Sequence, residues 1–173
     1  MEFTRIGDIM IPLSNYPHLP HWFTLRQAMA EFENAQLMIE GRQSLPRVAL
    51  VFDEKYQLVG MVRRRDILRG LEPEFLCGLP LEERRAVFSA TKGSESFYTY
   101  EEIIEGVRAR CERPVVEVMI PVKATADYND NIVQAVYDMN ANKFSLLPVL
   151  KDGIVVGVVR TVDVFHKFAE LVL

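Results

Sequence analysis

The sequence predicts a mixed α+β chain in which one β-α-β-β-α unit is used twice, with a helical insertion between the copies. Two repeated motifs, in the same order, predict it. Ile6-Gly7-Asp8-Ile9-Met10-Ile11-Pro12 matches Val115-Val116-Glu117-Val118-Met119-Ile120-Pro121, both reading apolar-x-acid-apolar-Met-Ile-Pro. Further on, Leu58–Leu68 parallels Val155–Phe165, and both contain Gly-apolar-Val-Arg-x-x-Asp. Two anchors in the same order mark an internal duplication. The second copy is the more compact: 36 positions separate Pro121 from Gly157, against 48 from Pro12 to Gly60.

Each element has its own signal. After the Met-Ile-Pro turn comes a short extended piece; in copy one the prolines of Tyr16-Pro17-His18-Leu19-Pro20 favour extended or turning backbone. A helix follows. Thr24 is placed to cap one carrying Leu25, Ala28, Met29 and Phe32, and Asp130 to cap one carrying Ile132, Val133, Val136 and Met139. Glu40 to Pro46 reads as a loop. Two strands come next: Arg47–Phe52 and Gln57–Val62 around an acidic turn, and Ser145–Leu150 and Ile154–Val159 around Lys151-Asp152-Gly153. Asp-Gly between apolar runs is a strong hairpin signal. Each copy closes with a helix, carrying Ile67, Leu68 and Leu71 or Phe165, Phe168 and Val172.

Residues 73–114 belong to neither copy, which leaves 4–72 and 115–173 as the repeats. In the insertion, Leu81–Ser89 reads as helical and Thr91–Ser96 as a flexible loop. Thr99 with Glu102 forms a capping box ahead of Ile103, Ile104, Val107 and Cys111. The insertion is expected to pack on the repeats.

Composition bounds the function. A chain of 173 residues buries roughly 70% of its unfolded surface and needs no staple. With 49% hydrophobic and 25% charged residues, it is not disordered, collagenous or a coiled coil. A net charge of −4 argues against a broad nucleic-acid footprint, and Arg63-Arg64-Arg65 with Arg69 is the main basic cluster. Cys77 and Cys111 have no metal-ligand spacing and are expected to be reduced thiols in a cytoplasmic protein. His18, His21 and His166 lack metal-site spacing, and Trp22 is expected to anchor a core. The start has no signal-peptide character, and no apolar run approaches the ~20 residues of a membrane span. No phosphate-loop, nucleophile-elbow or dinucleotide motif occurs, so no catalytic function is expected.

The duplicated acid-apolar-Met-x-Pro entry, the hairpin ending in Gly, and the Asp six residues after that Gly resemble a tandem pair of CBS domains, named after cystathionine beta-synthase. The resemblance covers about residues 4–72 and 113–173. It implies a pseudo-twofold module with two clefts between the repeats. It also implies a regulatory role through AMP, ADP, ATP or S-adenosylmethionine, no required cofactor, homodimers, and an effector protein as partner.

Residue by residue, the resemblance assigns ribose hydroxyls to Asp66 and Asp163, at a strand-to-helix junction whose polarity suits phosphate. It runs the adenine past Ile11, Pro12, Tyr16 and His18 in copy one, and past Ile120, Pro121, Val122, Ala124 and Thr125 in copy two. Thr161 follows Arg160 in the same junction, and copy two keeps Pro148 where copy one has Leu50. Copy two is therefore the better-supported site. One departure stands out. Three residues after the Gly, relatives that bind ligand usually carry Thr or Ser, whereas this chain carries Arg63 and Arg160. Three readings are open: each arginine grips phosphate, pairs with Asp66 or Asp163 at i,i+3 spacing, or faces solvent. Pairing favours a second function, a ligand-free dimerisation or scaffold module.

Overall fold

The computed structural model describes residues 4–89 and 98–173. The expected loop at Thr91–Ser96 lies outside the described residues. The chain runs α1 (Ile6–Ile9), β1 (Ile11–Pro12), β2 (His18–Pro20), α2 (Leu25–Asn34), β3 (Leu37–Ile39), β4 (Arg42–Ser44), β5 (Val48–Phe52), β6 (Leu58–Arg63) and α3 (Arg64–Gly70). It continues with α4 (Leu81–Ser89), α5 (Tyr100–Cys111), β7 (Ala126–Asp127), α6 (Ile132–Asn142), β8 (Leu146–Lys151), β9 (Ile154–Arg160) and α7 (Thr161–Val172). The unit β2-α2-β5-β6-α3 recurs as β7-α6-β8-β9-α7, the duplicated order the sequence predicts.

In each unit a parallel pair precedes an antiparallel hairpin. His18 lies opposite Leu50 and Ala126 opposite Val149. The register places Leu50 opposite Met61 and Pro148 opposite Val158, so Leu50 and Pro148 are equivalent positions. The β8–β9 turn holds Asp152 and Gly153 at positive φ, the geometry that makes Asp-Gly a hairpin turn.

The entry segments cross over. Strand β1 pairs with β9 of the other repeat, Ile11 opposite Val158, and Ile120 makes the equivalent bridge to Met61. Helix α1 follows: Ile6 is buried among Ala135, Met139, Leu147 and Val159 of repeat two. Val115 and Val118 are buried reciprocally among Leu25, Ala49, Val62 and Ile67 of repeat one. Each repeat thus completes the other's core. A third cluster joins them, with Ile11, Tyr16, Val48, Leu50, Met61, Leu146 and Val158.

The crossing explains the repeated glycines. A Cβ on Gly157 would collide with the Ile11 carbonyl oxygen, and one on Gly60 would lie 2.6 Å from Met119 Sδ and 3.0 Å from the Ile120 carbonyl. The insertion packs on repeat one: Cys111 is buried in that core and Val107 lies against it. The Leu25 amide donates to the Arg113 carbonyl at 2.9 Å.

Three expectations need correction. The cap of α6 is Asn131, whose side chain accepts from the Gln134 amide at 3.0 Å; Asp130, one residue too early to reach that turn, accepts from the Asp127 amide instead. Residues 40–46 are not simply a loop, because β3 and β4 form a hairpin turned at Glu40 and Gly41, both at positive φ. Trp22 is no core anchor: it is exposed, with its ring edge-on to His21.

Candidate functional site

Strands β6 and β9 each end in an arginine that opens the following helix, and three residues later the Asp of the first turn faces back. Arg63 Nε and Nη2 donate to Asp66 Oδ2 and Oδ1 at 2.7 and 2.8 Å. Arg160 makes the same fork on Asp163 at 2.8 and 2.6 Å. Each carboxylate also accepts from its arginine's own amide, at 3.0 and 3.1 Å. Of the three readings open for the arginines, the structure holds the pairing in both copies.

These pairs are not surface ornaments. Asp66 is 1% exposed and Asp163 8%. Burial would raise the Asp66 carboxyl, but the Arg63 hydrogen bonds and the charges of Arg63 and Arg69 outweigh it and hold the group below the usual carboxylate range. The hydrogen bonds that Arg63 donates to Asp66 correspondingly raise the guanidinium's pKa. In repeat two the fork has a third anchor, since Arg160 Nη1 donates to Ser44 Oγ on β4 at 2.8 Å.

Two clefts open beside these pairs. The first, of about 540 Å³, is lined by apolar Val48, Met61, Ile120, Phe144 and Leu146 and rimmed by Arg47, Arg63, Arg64, Arg65 and Lys143. Among the described residues, no carboxylate lines it. The second, of about 520 Å³, lies against Arg160, Thr161 and Tyr16 and is also lined by Gln43, Ser44 and Leu45 at the end of β4. The clefts share Arg47, Val48, Arg64, Ser145 and Leu146 as a common wall. The crossover decides the grouping: the copy-two entry residue Ile120 faces the repeat-one junction, and Tyr16 of copy one faces the repeat-two junction.

Of the residues singled out from sequence, Arg63 and Ile120 line the first cleft, and Arg160, Thr161 and Tyr16 the second. Asp66 and Asp163 sit behind their arginines. Tyr16 is buried and donates its hydroxyl to the Val48 carbonyl at 2.6 Å, and burial pushes that hydroxyl's pKa upward. His18 is turned away: Nδ1 meets the Tyr16 carbonyl at 2.8 Å and Nε2 the Tyr56 hydroxyl at 3.0 Å. Ile11 is buried in the β1–β9 pairing, and Pro12 borders a separate hollow with Met38 and Glu40. Pro148 is buried within β8. Val122 packs on the core between the repeats and Ala124 on that of repeat two, while Pro121 and Thr125 are exposed. None of these last residues lines either cleft.

Sequence reasoning did not single out Arg47, Lys143, Ser44 or Ser145 as cleft residues. Arg47 precedes a strand and Lys143 follows a helix, and only the tertiary arrangement brings them together.

A family model described as CBS domain matches residues 6–73 and 115–170. The chain belongs to the CBS-domain family. Solved structures agree at the level of fold. The CBS domain of a CBS-domain-containing membrane protein from Sphaerobacter thermophilus superposes with a TM-score of 0.65 at 21% identity, covering 95% of this chain and 87% of that one. The CBS-pair protein CBSX2 of Arabidopsis thaliana gives 0.65 at 18% identity, with 98% and 97% covered. The complex of CBSX2 with AMP gives 0.62 at 20% identity, with 96% and 97% covered. No curated protein matches the sequence. This CBS pair has no helix, among the described residues, long and apolar enough to cross a membrane. Nor do those residues include a cluster of His, Cys, Asp and Glu suited to a metal ion.

Proposed function

We propose that this CBS pair is a regulatory module that binds an adenine nucleotide between its repeats and passes the change to a partner protein. The observation that carries the reading is the first cleft: an apolar-walled hollow of about 540 Å³ whose lining, among the described residues, holds five cations and no carboxylate. The AMP complex of CBSX2, a protein of the same fold, supports the choice of adenine. Because the cleft walls come from both repeats, a ligand seated there favours whichever arrangement of the repeats fits it better. Phosphate contact falls to the other rim cations, Arg47, Arg64, Arg65 and Lys143, since the Arg63 and Arg160 guanidiniums are engaged by Asp66 and Asp163.

The apolar groove between α6 and α7 supports assembly as a homodimer. Val136, Met139, Val164, Phe165 and Phe168 line this groove, of about 390 Å³. The insertion, 73–114, is the surface assigned to the effector, with Leu81 and Tyr100 exposed on its helices. Calorimetric titration with adenosine, AMP, ADP and ATP tests the ligand. Saturable binding of a nucleotide, weakened by Met61→Glu in the cleft floor, supports the reading. Absence of binding by all four, in a folded protein, overturns it in favour of the scaffold reading that the closed Arg–Asp pairs favour.

A further inference from the structure

The first cleft holds more positive charge than one phosphate needs, and the charge is held ready. Among the described residues, Arg47, Arg64, Arg65 and Lys143 join no ion pair, although carboxylates outnumber basic side chains in the chain as a whole. Arg64 is steadied by the Phe32 ring, 5.7 Å from its guanidinium carbon. Uncompensated like charges around one hollow repel each other, and a bound polyanion relieves that repulsion.

Lys143 carries a second, independent signal. It ends α6 in the left-handed conformation, φ 55° and ψ 40°. Glycine is the residue this position favours, because a Cβ there crowds the backbone. A lysine held in a disfavoured conformation at the rim of a cationic cleft points to binding as the reason for its side chain. Its ammonium comes from repeat two, whereas Arg47, Arg64 and Arg65 come from repeat one.

The second cleft is not equivalent. All three guanidinium nitrogens of Arg160 are engaged, two by Asp163 and one by Ser44. The β3–β4 hairpin, which the second repeat lacks, supplies that serine and, with Gln43, part of the cleft wall. The two remaining cations on its wall, Arg47 and Arg64, are shared with the first cleft.

We infer that the first cleft is a polyphosphate site: Arg47, Arg64, Arg65 and Lys143 together take a chain of three or more phosphates, bridging the two repeats. The inference rests on the proposed nucleotide reading for the base, which sits on the apolar floor. The shared chemistry is the phosphate chain, supplied by a nucleoside triphosphate or by free inorganic polyphosphate.

The test is calorimetry at low and high salt with ATP, AMP, adenosine and inorganic tripolyphosphate. The proteins are the unaltered chain, the Arg47→Gln/Arg65→Gln double variant, and Lys143→Gly. ATP is expected to bind at least about tenfold more tightly than AMP at low salt, since two further charges face unpaired cations, with the ratio shrinking as salt rises. Tripolyphosphate should compete with ATP. The double variant should lose the ATP preference. Lys143→Gly should raise the melting temperature, by relieving the left-handed backbone, while weakening ATP several-fold, a pairing of effects that a purely structural lysine would not give. Equal affinity for ATP and AMP, insensitive to these variants, overturns the polyphosphate site and leaves the nucleotide reading standing. Tripolyphosphate binding more tightly than ATP keeps the polyphosphate site and overturns the nucleotide reading. No response to any ligand overturns both.

Discussion

Ser44 Oγ accepts a hydrogen bond from Arg160 Nη1 at 2.8 Å across 116 residues of sequence. The contact ties a hairpin found only in repeat one to the strand-to-helix junction of repeat two. Leu37 pairs opposite Ser44 at the base of that hairpin and is buried in the core between the repeats, so the tether lies at the anchored end of the hairpin, away from its Glu40-Gly41 turn. Ser44→Ala should lower stability by about 1 kcal/mol, the scale of one hydrogen bond to a charged group near the surface. Urea denaturation checks it; an unchanged midpoint would show that the tether holds nothing in place.

Removing one partner of the Arg160–Asp163 fork should be far more damaging. Arg160→Ala leaves a nearly buried carboxylate without its counter-charge, and a loss of about 3–5 kcal/mol is expected. Replacing both, as Arg160→Met with Asp163→Leu, removes the stranded charge and should recover most of that loss. Equilibrium unfolding of the three proteins measures the difference. A double variant as unstable as Arg160→Ala contradicts this account of the pair.

Asp66 gives a pH dependence with a definite sign. Its carboxyl is held below the usual range in the folded protein. The stabilisation is therefore complete above the unfolded value of about 3.9 and is lost as pH falls through the lower folded value. Between about pH 6 and pH 3, the unaltered chain should lose stability more steeply than Asp66→Asn, which has no proton to take up. Urea midpoints measured across that range test it, and parallel curves for the two proteins would contradict the assignment.

The two repeat glycines should differ in their tolerance. A Cβ at position 157 meets backbone, the Ile11 carbonyl, whereas at position 60 its nearest neighbour is the flexible end of Met119. Gly157→Ala is expected to cost about 1–3 kcal/mol and Gly60→Ala less. The reverse order in thermal unfolding would show that the entry strand does not press on β9 as described.

The duplication was legible because its anchors are constrained by chemistry that repeats. The glycines admit the crossing strand, and the Asp residues close on their arginines through one local geometry. The crossover was not legible. Ile6 and Val115 are apolar whichever repeat buries them, so the same sequence pattern fits packing in either direction. The β3–β4 hairpin escaped because its strands are three residues each and largely exposed, leaving Glu40-Gly41 as the only turn signal. The arginine triplet was visible as a cluster, but its companions Arg47 and Lys143 are isolated in sequence and meet it only through β5 and the end of α6. Nothing local separates Arg47 from any other exposed arginine.

The central claim is that the space between the repeats is a nucleotide receptor, and the melting temperature of the unaltered chain against ATP concentration tests it most directly. A ligand specific for the folded state, at about a hundredfold its Kd, stabilises by ~2.7 kcal/mol. For a chain of this size that is a rise of roughly 5–10 °C, growing with the logarithm of concentration. A melting temperature that stays flat through millimolar ATP and AMP, with cooperative unfolding intact, would contradict it.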